Sequence, residues 1–278
     1  MTMPVVLKHN PMEPVPHRVT DVLQELSDCF TLTLDCNAAP FAFAPGQFNM
    51  LYVFGHGEVP ISLSGDPSQP GKLAHTIRNV GSITAALQRL KAGDTVGVRG
   101  PFGSSWPLEH IKGRDVIVMA GGLGLAPLRP ALYHLLANRE DYGTVTLLYG
   151  TRMPNTVLFT EELKEWSEKI SVSVTVDSAG KDWRGDVGVI TDLLTGRQIN
   201  AASTVAFVCG PEIMMRFCAH ALLDKGLSPA DIYVSMERNM KCAIGQCGRC
   251  QYGPYFICHD GPIFSFEKVR WLFGIREV

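Results

Sequence analysis

Four of the eight cysteines lie within seventeen residues near the C-terminal end of the sequence: Cys242, Cys247, Cys250 and Cys258. The first three repeat the C-x4-C-x2-C spacing that holds [2Fe–2S] clusters, and the fourth follows a short loop later. Such a cluster moves one electron at a time. The spacing therefore predicts a redox centre and implies that the rest of the chain supplies or accepts its electrons.

A structural zinc ion is the alternative occupant, since four thiolates can bind Zn²⁺ tetrahedrally. Zinc sites favour two C-x2-C pairs, but this segment contains only one, Cys247 and Cys250. The four-residue interval instead suits a loop around a two-iron cluster. Gly245, Gly248 and Gly253 fit that loop, because glycine lets backbone N–H groups turn toward sulfide. The cysteines without a spacing partner are expected to be packing residues: Cys29, Cys36 and Cys218.

Two glycine-rich turns have the pattern of nucleotide-binding loops. The segment "AGGLGLAP" follows an apolar run and opens a predicted helix whose free N–H groups suit a phosphate. The segment "CGPEIMM" starts with Cys209, where another apolar run ends and a helix begins, a position typical of ligand binding in parallel sheets. The first also admits the role of a glycine-rich loop that serves packing alone. The second does too, since free cysteines such as Cys209 are commonly small buried apolar residues.

Two further turns carry a weaker signal. Gly81 and Thr84 in "GSIT" would present backbone and hydroxyl donors to a diphosphate at the start of a short helix. The segment "GPFG" at residues 100–103 is more often simply a turn. Neither segment specifies a ligand alone.

Composition limits the classes of function. A chain of 278 residues suits about two domains. The net charge of −2 gives no indication of nucleic acid or an anionic membrane as a partner. No apolar run reaches the ~18 residues of a spanning helix, and the first residues lack the pattern of a secretory signal. We therefore expect a cytoplasmic protein, in which clustered cysteines bind metal rather than form disulfides.

The hydrophobic pattern predicts two architectures in succession. The first 18 residues contain four prolines and are expected to be extended. Residues 18–110 alternate short apolar runs with turns, which predicts an antiparallel β-barrel with one short helix ending at Gly93. From residue 113, strands alternate with helices, one of them over "NTVLFTEELKEWSEK", up to a last strand in "DIYVSME". This alternation predicts a doubly wound, mostly parallel sheet, followed by a small unit around the cysteines. The predicted domains are residues 1–111, 112–236 and 237–278.

The order of these segments resembles a known superfamily. Residues 15–235 carry, in turn, "PISLS", "GSIT", "GPFG", "GGLGLAP" and "CGPEIMM", which resembles the ferredoxin–NADP reductases. With the cysteines added, the chain resembles the electron-transfer subunits of dihydroorotate dehydrogenase, anaerobic sulfite reductase and cytosolic [NiFe] hydrogenase. The segment "MERNMKCAIGQCGRCQYGPYFICHDGPIF" is most similar to the hydrogenase γ subunits.

This resemblance implies FAD on the barrel, NAD(P)H on the parallel sheet and one [2Fe–2S] cluster on the C-terminal unit. Ser62 and Cys209 are the residues it places at the flavin and nicotinamide rings. The matching positions are Pro60, Ile61 and Ser62 for the flavin; Gly81, Ser82 and Thr84 for its diphosphate; Gly121, Gly122, Gly124 and Pro127 for the nucleotide loop; Cys209, Gly210 and Pro211 for the nicotinamide; and Cys242, Cys247, Cys250 and Cys258 for the cluster.

The chain departs from the family pattern at the flavin motif. Val59 and Ile61 stand where the family has an arginine and an aromatic residue, so a diphosphate partner and a ring contact are missing. Arg78 is a candidate replacement for the arginine. Arg152, after the second strand of the parallel sheet, would suit a 2′-phosphate, but a plain ribose or an exposed position suits it equally. The choices between NAD and NADP and between FAD and FMN stay open at the level of residues.

Besides these redox motifs, the sequence shows no Ser/His/Asp set and no acid–base carboxylate pair that would catalyse a second reaction. We therefore expect an electron-transfer flavoprotein subunit whose partners, iron–sulfur and catalytic subunits of a redox complex, complete the chemistry. The resemblance implies a [NiFe] hydrogenase, with sulfite reduction or dihydroorotate oxidation as alternatives. A stand-alone reductase fits less well, because a plant-type ferredoxin domain has about 80–100 residues and 39 follow Asn239. A nucleotide-sensing module with structural zinc is the non-enzymatic alternative.

Overall fold

The N-terminal part of the protein forms an antiparallel sheet. The structure is a computed structural model that describes residues 10–273 and Ile275. The strands of this sheet are β1 (Val15–Leu26), β2 (Cys29–Asp35), β3 (Phe48–Val53), β4 (Gly57–Ser62), β5 (Lys72–Arg78) and β6 (Thr95–Phe102), with α1 (Ser82–Gln88) between the last two. Their order is β4-β3-β6-β1-β2-β5, and all neighbours pair antiparallel.

The sheet curls so that its two edge strands approach each other. The Ser64 amide, just after β4, donates to the Ala74 carbonyl of β5 over 3.0 Å. Phe30, Leu51 and Leu73 are fully buried in the core enclosed by this curvature. Burial of each such side chain contributes about 1.5–3 kcal/mol. The predicted antiparallel barrel is confirmed.

One local prediction in the barrel, the end of its helix, was wrong. Helix α1 ends at Gln88 instead of Gly93. Gly93 instead takes a positive φ of 99° in the next turn, where its amide donates to the Val19 carbonyl. Of the expected extended arm, residues 1–9 lie outside the described residues. Strand β1 begins within the rest of it, because Val15 and Pro16 pair with β6.

The second part of the chain forms a mostly parallel sheet. Its elements are β7 (Asp115–Gly121), α2 (Leu125–Ala137), β8 (Val145–Thr151), α3 (Thr160–Ser167), β9 (Ser171–Val176), β10 (Asp186–Val187), β11 (Thr204–Cys209), α4 (Glu212–Asp224) and β12 (Ile232–Ser235). The strand order is β10-β9-β8-β7-β11-β12 followed by one more strand. Strands β8, β9 and β10 are added on one side of β7, whereas β11 and β12 are added on its other side. The order of strand addition therefore reverses between the parallel neighbours β7 and β11, which is where such folds bind ligands. The predicted doubly wound sheet is confirmed.

The helix predicted over residues 155–169 is shorter than expected, because α3 starts at Thr160. Thr156 ends the preceding turn: its hydroxyl accepts from the Met153 amide and contacts Thr151. Such side-chain bonds to nearby backbone compete with helix formation. Phe159 then adopts a left-handed φ of 54° before the helix begins, and its ring lies under the Arg129 guanidinium.

The C-terminal residues complete the parallel sheet. They form β13 (Gln251–Tyr252), β14 (Tyr255–Phe256), α5 (Ile257–Asp260), β15 (Ile263–Ser265) and α6 (Phe266–Val269). Strand β15 pairs antiparallel with β12 and is the seventh strand. The expectation that β12 is the last strand was wrong, since a three-residue strand leaves no clear pattern in the sequence. The helices of the described part of the chain are too short or too polar to span a lipid bilayer.

Candidate functional site

The two glycine-rich turns meet at the carboxyl edge of the parallel sheet. Strands β7 and β11 are neighbours, with Ala120 opposite Cys209. A Cβ added to Gly124 would lie 2.3 Å from the Cys209 carbonyl oxygen, and one added to Gly210 would lie 3.0 Å from the Gly121 Cα. The first distance is far below a van der Waals contact and the second is tighter than an ordinary one, so the loops pack backbone against backbone. The structure thus brings together two segments that lie about ninety residues apart in the sequence.

The loop after β7 also leaves an opening at this edge. Gly122 has a positive φ of 51°, and a Cβ there would meet nothing within 4 Å. Helix α2 begins directly after this loop, with Pro127 buried in its first turn. A tight turn, open space and the start of a helix are the features that a nucleotide phosphate needs.

Cys209 is buried at the end of β11, beside groups from β12. Burial raises the pKa of its thiol far above the ordinary value, and the nearby Glu237 charge adds to this effect, while a hydrogen bond with Ser235 acts against it. The thiol therefore stays protonated at neutral pH. It does not act as a thiolate nucleophile, and its contact with a nicotinamide ring stays a prediction.

Glu237 is a site residue that the sequence reasoning missed. Glu237 as a whole residue is exposed, but protein atoms closely surround its carboxyl group, and this desolvation raises the pKa of that group. Its backbone follows the carboxyl end of β12 by two residues, next to the β11 end that carries Cys209. The only signal in the sequence was this position after a parallel strand, since the same strand end often carries site residues.

Ser62 is held in place by a buried histidine. His75 is completely buried, and desolvation lowers its pKa to about 4. Its ring is therefore neutral at pH 7, with Nδ1–H donating to the Ser62 carbonyl over 3.0 Å and Nε2 facing Asn49 Nδ2 at 3.2 Å. Within the described residues, the Ser62 hydroxyl makes no hydrogen bond, so it is available to a ligand. Pro60 and Ile61 precede it, half-buried on the edge strand β4.

Two of the residues expected at a diphosphate, Thr84 and Arg78, already have partners within the protein. The Thr84 hydroxyl accepts from the Val80 and Gly81 amides and donates to the Gly81 carbonyl, so it caps α1. Ser82 is the exposed hydroxyl of the same turn. Arg78 forms an ion pair with Asp28 at 3.2 Å. Contact of any of these residues with a diphosphate stays a prediction.

Arg152 lies at the same sheet edge as the glycine-rich loops. It follows β8 and is exposed, and its carbonyl accepts from the Ser178 amide. Asp177 is exposed at the end of the neighbouring strand β9. One cationic and one anionic side chain thus lie at this edge of the sheet. They do not decide between NAD and NADP.

The four clustered cysteines lie on one folded segment. Cys242, Cys250 and Cys258 are buried, whereas Cys247 is exposed. Backbone amides point at three of the sulfurs: those of Gln246 and Cys247 at Cys242, that of Gly245 at Cys258, and that of Cys258 at Cys250, over 3.2–3.4 Å. Among the described residues, no three His, Cys, Asp or Glu side chains surround a single-ion position.

Backbone conformation directs these amides inward. Ala243, Gly245 and Gly248 all have left-handed φ values, of 65°, 72° and 76°. Desolvation would raise the pKa of Cys242, but hydrogen bonds from backbone amides, foremost that of Ile244, outweigh it and lower this pKa to about 6. A thiolate surrounded by amide donors is the chemistry that binds an iron–sulfur group, so the residues fit such a group.

The other cysteines have a different environment. Burial is the main cause that raises the pKa of Cys29 and Cys218 to about 12 and that of Cys36 to about 11. These thiols are unreactive at neutral pH, as expected for packing residues.

Two sequence families match the chain. Residues 118–220 match the family described as "Oxidoreductase NAD-binding domain". Residues 237–270 match the family described as "Iron-sulfur cluster binding domain of dihydroorotate dehydrogenase B". These matches cover most of the parallel sheet and the cysteine segment.

Named relatives span most of the chain. Sulfhydrogenase 1 subunit gamma of Pyrococcus furiosus is 38% identical over 243 residues, covering 84% of this chain and 82% of that protein. Sulfhydrogenase 2 subunit gamma of the same organism is 36% identical over 245 residues, covering 81% and 84%. The probable dihydroorotate dehydrogenase B (NAD(+)), electron transfer subunit, of Methanocella arvoryzae is 34% identical over 261 residues, covering 93% of each.

Solved structures share the fold. A chain from the structure of the NADH-dependent reduced ferredoxin-NADP oxidoreductase has a TM-score of 0.75 and 26% identity, covering 94% of both chains. The ferredoxin NADP+ reductase from Neisseria gonorrhoeae, with bound FAD and NADP, has a TM-score of 0.70 over 80% of this chain and 98% of that one. At 20% identity, this second likeness shows the fold alone.

The barrel, the glycine-rich sheet edge and the iron–sulfur unit together define a class, the NAD(P)H-dependent flavin and iron–sulfur oxidoreductases with the ferredoxin–NADP reductase fold. Within that class, the chain belongs to the family of the sulfhydrogenase γ subunits and the dihydroorotate dehydrogenase B electron transfer subunits. The predicted family and class of function are confirmed, as are a flavin and NAD(P)H as its cofactors. The relatives are themselves subunits of larger enzymes.

Proposed function

We propose that this protein is the subunit that carries electrons between NAD(P)H, FAD, one [2Fe–2S] cluster and a catalytic partner. The observation that carries the proposal is the packing of the cysteine segment. Cys242, Cys250 and Cys258 belong to the same apolar cluster as Phe48 and Met50 of the barrel strand β3. The cysteine segment therefore shares a core with the domain that would bind the flavin, and Arg99 of β6 contacts it directly by donating to the Cys242 carbonyl over 3.2 Å.

Different residues of the chain would bind the nucleotide, orient the flavin and hold a proton. A bound flavin supplies the change from two-electron hydride transfer to one-electron transfer. The loop at Gly121–Gly124 holds the nucleotide, and the neutral Cys209 thiol contacts the nicotinamide. Ser62, fixed by His75, orients the flavin ring. Glu237 lies close to Cys209, and its raised pKa suits it to hold a proton at this edge.

The type of cluster is part of the proposal. The C-x4-C-x2-C spacing supports two irons over a single zinc ion. Amide donors to the sulfurs support it as well, because the hydrogen bonds would stabilise the extra negative charge of a reduced cluster. We assign Cys242, Cys247, Cys250 and Cys258 as its ligands. The proposed domains are residues 1–111 for the flavin, 112–236 for the nucleotide and 237–278 for the cluster.

We propose a cytosolic [NiFe] hydrogenase as the partner enzyme and the cytoplasm as its location. The identities of 36% and 38% to sulfhydrogenase γ subunits support this choice. Dihydroorotate dehydrogenase is the second candidate, favoured by the match of residues 237–270 and by a relative that covers 93% of the chain. Co-purification from the native source, followed by assays for H₂ oxidation and dihydroorotate oxidation, would separate the two.

The visible spectrum of anaerobically purified protein, before and after addition of NADH or NADPH, tests the cofactor proposal. We expect flavin bands with a broad iron–sulfur shoulder, bleached by at least one nucleotide. The variant Cys250→Ser should lose the shoulder and its iron, and Cys36→Ser, at a buried cysteine outside the segment, should keep both. A colourless wild-type protein that contains zinc would contradict the proposal.

A further inference from the structure

One arginine of the barrel touches both the flavin strand and the cysteine segment. Arg99, on β6, is 3% exposed. Its Nε and Nη2 donate to the two carboxylate oxygens of Glu58 on β4, over 3.0 and 2.8 Å. Its Nη2 also donates to the Lys241 carbonyl, and its Nη1 to the Cys242 carbonyl, both over 3.2 Å. The guanidinium thus bridges two segments that lie about 180 residues apart.

The remaining donor of this side chain is also used. Nη1 donates to the Pro11 carbonyl over 2.7 Å, so all five N–H groups of the guanidinium are engaged. A buried charge with every donor satisfied is held rigidly. Because side chains alternate along a strand, Glu58 lies on the same face of β4 as Ser62. The contacts therefore connect the strand of the flavin site to the first cluster ligand.

We propose that Arg99 is a positioning and tuning residue for the iron–sulfur cluster, an inference that rests on the proposed function. Reduction of the cluster would take one of the two electrons that NAD(P)H passes to the flavin as a hydride, leave the other on the flavin, and add one negative charge to the cluster. A guanidinium held against the Cys242 backbone favours that reduced form and raises the cluster potential. Glu58 lies on the other side of the guanidinium and partly offsets its charge.

This arrangement predicts opposite shifts for the two partners. Arg99→Gln removes the positive charge and should lower the cluster potential. Glu58→Gln leaves the guanidinium uncompensated and should raise it. We expect each change to alter the one-electron equilibrium between flavin and cluster by roughly three- to tenfold, where tenfold corresponds to about 59 mV. Arg99→Lys keeps the charge but loses the forked contacts, so its shift should be smaller than that of Arg99→Gln.

The experiment is an anaerobic redox titration of the full-length protein with its flavin and cluster bound, followed by EPR and visible absorption. Arg129→Gln is the matched control, because Arg129 forms a similar half-buried pair with Glu162 inside the parallel-sheet domain. It should leave the cluster potential unchanged. The flavin potential, read in the same titration, should shift less than that of the cluster in both Arg99→Gln and Glu58→Gln.

Shifts in the same direction for Arg99→Gln and Glu58→Gln, or no shift in either, would overturn the proposal. A merely structural role predicts the first of these outcomes, since both changes loosen the same segment. If Arg99→Gln does not fold, Glu58→Gln and Arg99→Lys decide, and a lower potential in Glu58→Gln contradicts the proposal. A wild-type protein without iron would refute the proposed function itself, which keeps the two failures distinct.

Discussion

The ring of His75 connects residues that are distant in the sequence but adjacent in the barrel. It lies between Asn49 on β3 and the Ser62 carbonyl at the end of β4. Gly100 leaves room for this pair, because a Cβ there would lie 2.1 Å from Asn49 Oδ1. Sequence reasoning identified Ser62 through its motif. It did not find His75 or Asn49, because their spacing carries no chemical signature.

The buried His75 predicts a pH dependence of stability. Its pKa is about 4 in the folded state and about 6.5 in the unfolded chain. The unfolded state therefore binds the proton first as the pH falls, so stability is fully present above about pH 6.5 and is lost progressively down to about pH 4. The loss should amount to about 3 kcal/mol.

The measurement is urea denaturation at several pH values. His75→Gln should flatten the dependence between pH 6.5 and 4 relative to the wild type, because the titrating group is gone. His56→Gln, at an exposed turn, should retain the wild-type slope. Equal slopes in His75→Gln and the wild type would show that another group dominates.

The parallel sheet creates the edge at which the two glycine-rich turns meet. Each glycine-rich turn was recognisable by itself, because a strand and a helix flank it. That they pack backbone to backbone follows from β7 and β11 being neighbours. Strand β15 shows the opposite case, since three residues are too few for a periodic pattern and only its pairing with β12 defines it.

Gly124→Ala tests the contact between the two turns. The new methyl group would lie 2.3 Å from the Cys209 carbonyl, so one loop must move. We expect affinity for the nicotinamide nucleotide to fall at least about tenfold, since each 1.4 kcal/mol of distortion is a factor of ten, while flavin content stays unchanged. Fluorescence titration of the purified protein measures this.

Gly180→Ala is the control, because its Cβ would meet nothing within 4 Å. Gly180 lies on an exposed loop, and the change should leave nucleotide affinity at the wild-type value. A wild-type affinity in Gly124→Ala would mean that the close packing of the two loops is not needed for binding.

At the scale of the whole molecule, the cysteine segment is integrated with both larger domains. The Ser104 hydroxyl, just after β6, donates to the Ile263 carbonyl over 2.9 Å and accepts from its amide over 3.0 Å. Gly103 faces Gly261 and Pro262 so closely that a Cβ would lie 2.6 Å from the proline ring. The segment "GPFG", which the sequence predicted to be a simple turn, therefore also packs against the C-terminal unit.

Ser104→Ala should weaken this attachment. Two hydrogen bonds to one backbone position are lost, and the Ile263 groups are left without their partner, so we expect destabilisation by about 2 kcal/mol. Hydrogen exchange of the Ile263 amide, followed by mass spectrometry, should speed up more than exchange in the barrel. Ser167→Ala, which removes a single exposed bond to Lys164, should change neither quantity noticeably. Uniform acceleration across the chain would argue against a local attachment.

The amino-acid sequence alone was enough to predict the barrel, the doubly wound sheet, the two glycine-rich turns and the four clustered cysteines. Each of these depends on local periodicity or on spacing along the chain, which a linear sequence displays directly. Three other arrangements became visible only in the folded chain: Glu237 beside Cys209, His75 behind Ser62, and Arg99 between Glu58 and Cys242. These groups act through contacts between strands and segments far apart in the chain. Their chemistry therefore comes from burial and proximity, and neither leaves a pattern in the spacing of residues along the chain.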